Sequence, residues 1–97
     1  MNLTGKQKRF LRAEAHHLNP IFQVGKDGVN ENMIKQISEA LEKRELIKVS
    51  ILQNCMEDKN DVADALADGA EAFVVQLIGN TIVLYKESQE NKQITLP

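Results

Sequence analysis

The chain has 97 residues, of which 42% are hydrophobic and 4% aromatic, and its formal net charge is −2. This length suffices for one compact domain and excludes a multidomain enzyme. The single cysteine, Cys55, excludes an intrachain disulfide and a cysteine-based zinc site. Apolar runs fall far short of the roughly 20 residues of a membrane-spanning helix, and the start of the chain lacks the apolar segment of a secretory signal. We therefore expect a reduced, cytoplasmic protein with no membrane association.

The charged residues are unevenly distributed along the chain. Residues 1–44 carry eight Lys/Arg and five Asp/Glu, a balance of +3, whereas residues 45–97 carry four and nine, a balance of −5. Because phosphate binding needs a positive surface, the first basic segment is a candidate for contact with nucleic acid. The alternative is an ordinary solvated helix face. The basic residues that precede the first acid, Glu14, are Lys6, Lys8, Arg9 and Arg12.

The first three predicted elements are a helix, a strand and a helix. Thr4 and Gln7 fit a capping box at the start of the first helix. A short apolar run between Pro20 and Gly25 is typical of a strand. Asn30 is placed to cap the second helix, in which apolar residues recur every three or four positions. These elements are predicted over residues 5–17, 21–24 and 31–44.

The second half of the chain predicts a strand, a helix and a hairpin. Apolar and polar side chains alternate from Leu46 to Leu52, which indicates a strand with one wet face. The third helix is short and acidic, and Gly69 is predicted to end it. Gly79-Asn80 is typical of a two-residue hairpin turn. The helix is predicted over residues 61–68, the hairpin strands over 72–78 and 81–86, and a loose polar tail follows.

This order predicts a single α/β domain, αβαβαββ, over residues 1–86, with a polar C-terminal tail over residues 87–97. Alternation of helices and strands favours a mixed four-stranded sheet that ends in an antiparallel hairpin. No repeat, low-complexity stretch or internal linker divides the chain.

A glycine-flanked tetrapeptide, Gly25-Lys26-Asp27-Gly28, lies between the first predicted strand and the second helix. Glycine lets backbone N–H groups approach a phosphate closely, and the following helix directs its positive end to the anion. Lys26 adds a mobile charge at the tip, and KH domains clamp nucleotide backbone with a loop of this kind. A tight turn is the simpler interpretation, and the carboxylate of Asp27 would repel phosphate.

Other clusters give weaker signals. His16 and His17 are adjacent, so on a helix their side chains point about 100° apart and do not share a metal. Packing or a helix-end cation is the simpler role for each, while His17 is also a candidate for the RNA surface. Asp61, Asp64 and Asp68 fit a solvated acidic face better than a magnesium site. Because the cysteine and the serines lack the context of a nucleophile, the sequence predicts no enzyme.

Four blocks of the sequence together resemble the YhbY-like, or CRM (chloroplast RNA splicing and ribosome maturation), RNA-binding domain. The resemblance runs from about Leu3 to Lys86, and four blocks in order are more specific than any one of them. The blocks are His17-Leu18-Asn19-Pro20, Val24-Gly25-Lys26-Asp27-Gly28-Val29, Glu45-Leu46-Ile47-Lys48-Val49 and Ile78-Gly79-Asn80-Thr81-Ile82-Val83-Leu84-Tyr85.

This resemblance implies a small bacterial protein with a fold similar to the C-terminal domain of translation initiation factor three. Bacterial members of the family associate with precursors of the large ribosomal subunit, and related plant domains promote group II intron splicing. The family's glycine loop corresponds to Gly25 to Gly28, and its basic helix surface to the region from Lys6 to Arg12. Two departures, Asp27 in the loop and Asn80 in place of a frequent basic residue, imply modest and strongly salt-dependent RNA affinity.

The prediction is an RNA-binding protein, without metal or cofactor, that attaches to ribosomal RNA of the large-subunit precursor and assists ribosome assembly. Ribosomal proteins are further partners in this interpretation. The alternative is a protein-interaction module that docks a basic ribosomal or assembly protein through its acidic half. Few aromatic residues are available for stacking on bases, which favours recognition of backbone and shape. The predicted RNA-binding residues are Gly25, Lys26, Asp27, Gly28, Lys6, Lys8, Arg9, Arg12 and His17, with Lys35 and Arg44 as outer contacts.

Overall fold

The computed structural model describes residues 2–97 and contains three helices and four strands there, in the predicted order αβαβαββ. The strands form one mixed four-stranded sheet, as predicted. No helix within residues 2–97 is both long and apolar enough to cross a membrane. The helices are α1 (Gly5–Ala15), α2 (Glu31–Arg44) and α3 (Lys59–Ala70), and the strands are β1 (Pro20–Val24), β2 (Leu46–Ile51), β3 (Phe73–Ile78) and β4 (Thr81–Tyr85).

Side-chain hydrogen bonds confirm two predicted helix starts. The Thr4 hydroxyl accepts from the Gln7 N–H at 3.1 Å, and the Gln7 side chain accepts from the Thr4 N–H at 3.0 Å. The Asn30 side chain accepts from the Met33 N–H at 2.9 Å. Each contact satisfies an N–H group that the helix itself leaves without an acceptor.

The C-terminal end of α1 differs from the predicted one. The helix ends at Ala15, before the predicted end at His17. The N–H groups of His16 and Leu18 bond to carbonyls three residues earlier, at 3.2 and 2.9 Å, so the chain tightens as it leaves the helix. His17 therefore projects from a turn and not from the helix.

The strand order is β1-β2-β4-β3, with β1 and β2 parallel and the other pairs antiparallel. Val24 pairs with Ile51, and the Ile51 N–H donates to the Asn80 carbonyl at 2.7 Å. The C-terminal ends of β1 and β2 thus lie beside the hairpin turn; we call this edge the loop end of the sheet. Gly79 has a φ of 58° and Asn80 has no positive φ, the pattern of a type II′ turn.

Helices cover both faces of the sheet. One core cluster joins α2 and α3 to the sheet and includes Ile37, Leu66 and Val49, all fully buried. A second cluster joins α1 to the opposite face through Leu11 and Tyr85. The molecule is therefore three layers thick, with α1 alone on its side.

The predicted wet face of β2 is only partly open, because α1 covers its first half. Leu46 is 5% exposed beneath α1. Lys48 and Ser50 lie nearer the loop end and keep partly exposed side chains. Ser50 pairs with Thr81. We call this uncovered region, formed by Lys48, Ser50, Gln76, Ile78 and Thr81, the open half-face.

The third helix is longer than predicted, and Gly69 does not end it. Gly69 lies inside the last turn of α3. A Cβ at this position would overlap the Ile34 side chain on α2, so the close approach of the two helices explains the glycine. Glu71 ends the helix instead, in the left-handed conformation with a φ of 55°.

Residues 87–97 form no helix or strand, but they are not the loose tail that the polar composition predicts. Glu45 is fully buried, and its carboxylate accepts hydrogen bonds from the N–H groups of Ser88, Gln93 and Ile94 at 2.8, 2.6 and 2.8 Å. Ile94 and Leu96 pack against the core cluster beneath α1. The tail is therefore part of the folded domain.

A second carboxylate, Glu42, also holds the tail. It accepts from the N–H groups of Gln89 and Glu90 and from the Ser88 hydroxyl, at 3.0, 3.1 and 2.8 Å. The Gln89 N–H, with these neighbours, lowers the pKa of Glu42. Burial would raise the pKa of Glu45, but its three N–H donors outweigh burial and lower it. Both carboxylates thus hold the tail in their charged form.

Candidate nucleic-acid interface

The glycine loop, Gly25 to Gly28, leaves the loop end of the sheet between β1 and α2. The Gly28 N–H donates to the Gly25 carbonyl at 3.0 Å, which closes a tight turn with Lys26 and Asp27 exposed at its tip. Gly28 has a φ of 66°, a conformation that L side chains rarely adopt. The turn itself therefore requires glycine at position 28.

An acidic side chain from a distant segment covers part of this loop. Glu57, between β2 and α3, accepts a hydrogen bond from the Val29 N–H at 3.3 Å. Its carboxylate also fills the space that a Cβ on Gly28 would occupy, and Gly28 is buried. The N–H groups of Gly28 and Val29 therefore already have acceptors and are not free for a phosphate, contrary to the expectation that the loop amides approach one, whereas the N–H groups of Lys26 and Asp27 have no partner among residues 2–97.

The glycine loop is surrounded by more negative than positive side chains, although it contains a lysine. Asp27 is exposed at the tip, Glu57 lies against the base, and Glu31 stands in the first turn of α2. Lys26 is the cation that the loop itself supplies. Three carboxylates near one ammonium group leave the loop a weak attractor of phosphate by itself.

The cations of α1 are exposed and free of acidic partners. Lys6, Lys8, Arg9 and Arg12 all lie on the solvent side of the helix, where the sequence predicts the last three. The first turn contains no acid. Within residues 2–97 the one ion pair joins Lys92 and Glu87 in the tail. The positive charge of α1 is therefore available to an external anion.

The remaining predicted residues do not form one surface with the loop. His17 and Arg44 border a depression of about 300 Å³ where β1 and β2 begin, so they stand together. The length of β1 separates both from the glycine loop. Lys35 is exposed on α2, on the opposite side of the sheet from α1.

A depression of about 350 Å³ lies beside α1 on the open half-face, and sequence reasoning missed it. Arg12 from α1, His16 directly after α1 and Lys48 from β2 contribute to its lining, which contains no Asp or Glu. The alternating pattern of β2 did place Lys48 on the polar face. Its proximity to Arg12 depends on the packing of α1 over the sheet, which no local pattern reports.

Known proteins resemble this chain over almost its whole length. The sequence model of one protein family, described as "CRS1 / YhbY (CRM) domain", matches residues 3–86 of this chain. A Bacillus subtilis protein named "Probable RNA-binding protein YqeI" is 79% identical over 95 residues, which cover 98% of this chain and 99% of that protein. A Haemophilus influenzae protein named "RNA-binding protein" is 42% identical over 95 residues, which cover 98% of this chain and 95% of that protein.

A solved structure shows the same fold. The solution structure of the hypothetical protein SAV1595 from Staphylococcus aureus is 58% identical, with a TM-score of 0.82, and the match covers 99% of this chain and 100% of that one. The four sequence blocks, the αβαβαββ order and these full-length similarities agree with one another. This chain belongs to the CRS1/YhbY (CRM) domain family.

Proposed function

We propose that this protein binds RNA, that its target is ribosomal RNA of the large-subunit precursor, and that it assists ribosome assembly in the cytoplasm. The observation that carries the proposal is the exposed set of cations on α1, which form no ion pair within residues 2–97. Relatives that are named for RNA binding support the choice of RNA as partner. The protein acts by binding, without catalysis, metal or cofactor.

The binding mechanism is electrostatic and reads the RNA backbone. Lys6, Lys8, Arg9 and Arg12 contact phosphates and release their counterions. At the glycine loop, Lys26 contributes its ammonium group, and the amides at the loop tip donate to phosphate oxygens. These contacts position the protein on structured RNA without reading its sequence.

Charge reversal on α1 tests RNA binding directly. The double variant Lys8→Glu/Arg9→Glu should lose at least tenfold in affinity for purified large-subunit ribosomal RNA, because two phosphate contacts become repulsive. The magnitude of the slope of log affinity against log salt concentration should fall by about 1.4–1.8, the value for two lost phosphate contacts. Filter binding over a salt series measures both quantities.

The matched control is Lys43→Glu/Lys59→Glu, which makes the same charge change at exposed positions of α2 and α3. For this control, the slope of log affinity against log salt concentration should equal that of the unmodified protein. Equal losses in the two double variants would mean that only net charge matters and that α1 is not the RNA surface.

Crosslinking in cells tests the identity of the RNA. Ultraviolet crosslinking followed by sequencing should enrich large-subunit ribosomal RNA and its precursors over messenger and small-subunit RNA. Enrichment of another RNA class would reject the role in large-subunit assembly while leaving RNA binding intact.

A protein-docking module is the second candidate, and one observation favours it. Asp61, Asp64 and Asp68 are all exposed on α3, which packs on the opposite side of the sheet from α1. This acidic surface is complementary to a basic ribosomal or assembly protein. In that case RNA contact would be incidental to protein binding.

A further inference from the structure

The open half-face is a part of the sheet that no helix within residues 2–97 covers. Ile78, at the hairpin, is 62% exposed, and Lys48, Gln76 and Thr81 are partly exposed. α1 borders this region and adds Arg12 to its edge. The result is a depression of about 350 Å³ with one helical wall and a floor of strands.

The charge of this depression differs from that of the glycine loop. Lys48 rises from the floor and Arg12 from the wall, and the lining residues include no carboxylate. Neither cation forms an ion pair within residues 2–97. Two unneutralised cations on facing elements provide a phosphate site with less opposing charge than the loop, where Asp27 and Glu57 stand beside Lys26.

The depression and the loop lie on one continuous path. From Lys48, β2 runs toward the loop end and reaches Ile51 after about 10 Å, at the usual rise of a strand. Ile51 pairs with Val24, the residue before the glycine loop. Between these points the polar side chains of Ser50 and Gln23 are cross-strand neighbours. Polar side chains therefore line the path from Lys48 to the glycine loop and its single cation, Lys26.

We infer that the open half-face is a second RNA-contact surface, on which Lys48 and Arg12 bind backbone phosphates of the strand that continues from the glycine loop. This inference rests on the proposed function and extends it to residues of β2, β3 and β4. Gln76 and Thr81 offer the hydrogen-bonding groups for ribose and phosphate oxygens. His16 completes the wall beside Arg12.

The lining favours RNA over a protein partner. Apart from Ile78, the groups that form the half-face are polar or cationic, whereas the centre of a protein interface is typically depleted of charged residues and enriched in aromatic ones. An extended polyanion matches a groove with cations at one end and the glycine loop at the other. The occupant is therefore RNA backbone.

Neutralising single cations tests this surface. Lys48→Gln and Arg12→Gln should each weaken binding to purified large-subunit ribosomal RNA severalfold in a filter-binding assay. Each should also reduce the salt slope by about 0.7–0.9, the value for one lost phosphate contact. Lys48→Arg keeps the charge on a side chain of similar length and should retain both affinity and slope. Circular dichroism and thermal melting verify that each variant is folded.

Lys59→Gln is the matched control, since Lys59 is exposed on α3 across the sheet. Its salt slope should be unchanged. Lys48→Gln decides the inference, because Arg12 also belongs to the α1 cations of the proposed function. If Lys48→Gln behaves like Lys59→Gln while Lys8→Glu/Arg9→Glu loses binding, the half-face is not an RNA surface and the proposed function stands. If the unmodified protein itself fails to bind the RNA, both proposals fall.

Discussion

At the scale of single residues, Glu57 occupies the position at the glycine loop that an external anion would need. The Glu57 carboxylate accepts the Val29 N–H and covers Gly28, so an anion already occupies this side of the loop. A phosphate that approached these amides would have to displace Glu57. Substitution of Gly28 does not test contact with RNA, because a Cβ there would meet Glu57 and a positive φ together.

Glu57→Gln isolates the electrostatic part of this competition. The amide side chain keeps the size and one acceptor oxygen of glutamate but removes its repulsion toward phosphate. Affinity for large-subunit ribosomal RNA should rise about two- to fivefold at low salt, the effect of about 0.5–1 kcal/mol from one exposed charge. Filter binding measures the change, and Glu39→Gln, at an exposed position of α2, is the control. Equal affinities for the Glu57 variant and the unmodified protein would place the loop base outside the RNA contact.

At the scale of elements, the C-terminal tail depends on the buried carboxylate of Glu45. Glu45→Gln would set an NH₂ group against at least one of the N–H donors of Ser88, Gln93 and Ile94. Leaving a buried donor without an acceptor costs about 1–3 kcal/mol, and the free energy of unfolding should fall by that amount. Hydrogen exchange at Gln93 and Ile94 should accelerate. Glu90→Gln changes a tail carboxyl whose side chain makes none of these bonds and should have no such effect.

The same carboxylates make tail docking sensitive to acid. Because the pKa values of Glu42 and Glu45 are lowered in the folded protein, the docked tail is fully stabilised above the ordinary value of 4.5. Stability is lost as the pH falls below that value and through the lowered pKa values, since the unfolded chain takes up protons first. The amides of Gln93 and Ile94 should then lose protection from hydrogen exchange in the unmodified protein at acidic pH, relative to the intrinsic exchange rate at that pH.

The elements also show how far sequence patterns reach. Thr4, Gln7, Asn30 and the Gly79-Asn80 turn were predicted because their hydrogen bonds and backbone angles are local. By contrast, Gly69 was misassigned because its neighbour Ile34 comes from another helix. The tail, Glu57 and the depression at Lys48 were missed for the same reason. Each depends on groups that are distant in sequence and that only the packed sheet brings together.

At the scale of the whole molecule, charge is separated across the sheet. The protein measures 37 × 25 × 24 Å, with the cations of α1 on one side and the exposed acids of α3 on the other. At physiological ionic strength electrostatic interactions decay over about 8 Å. The acids of α3 would therefore be screened from RNA bound at α1 as proposed, and the net charge of −2 would not prevent such binding.

This separation distinguishes the two candidate functions. Asp64→Asn/Asp68→Asn removes two exposed charges from α3. If RNA binding at α1 is the function, the affinity for ribosomal RNA should change by less than about twofold at physiological salt, because screening isolates the two sides. Co-sedimentation with large-subunit precursor particles should persist as well. If the acidic surface docks a basic protein, the same variant should lose co-sedimentation while its RNA affinity stays constant, since the lost contacts would be to protein and not to phosphate.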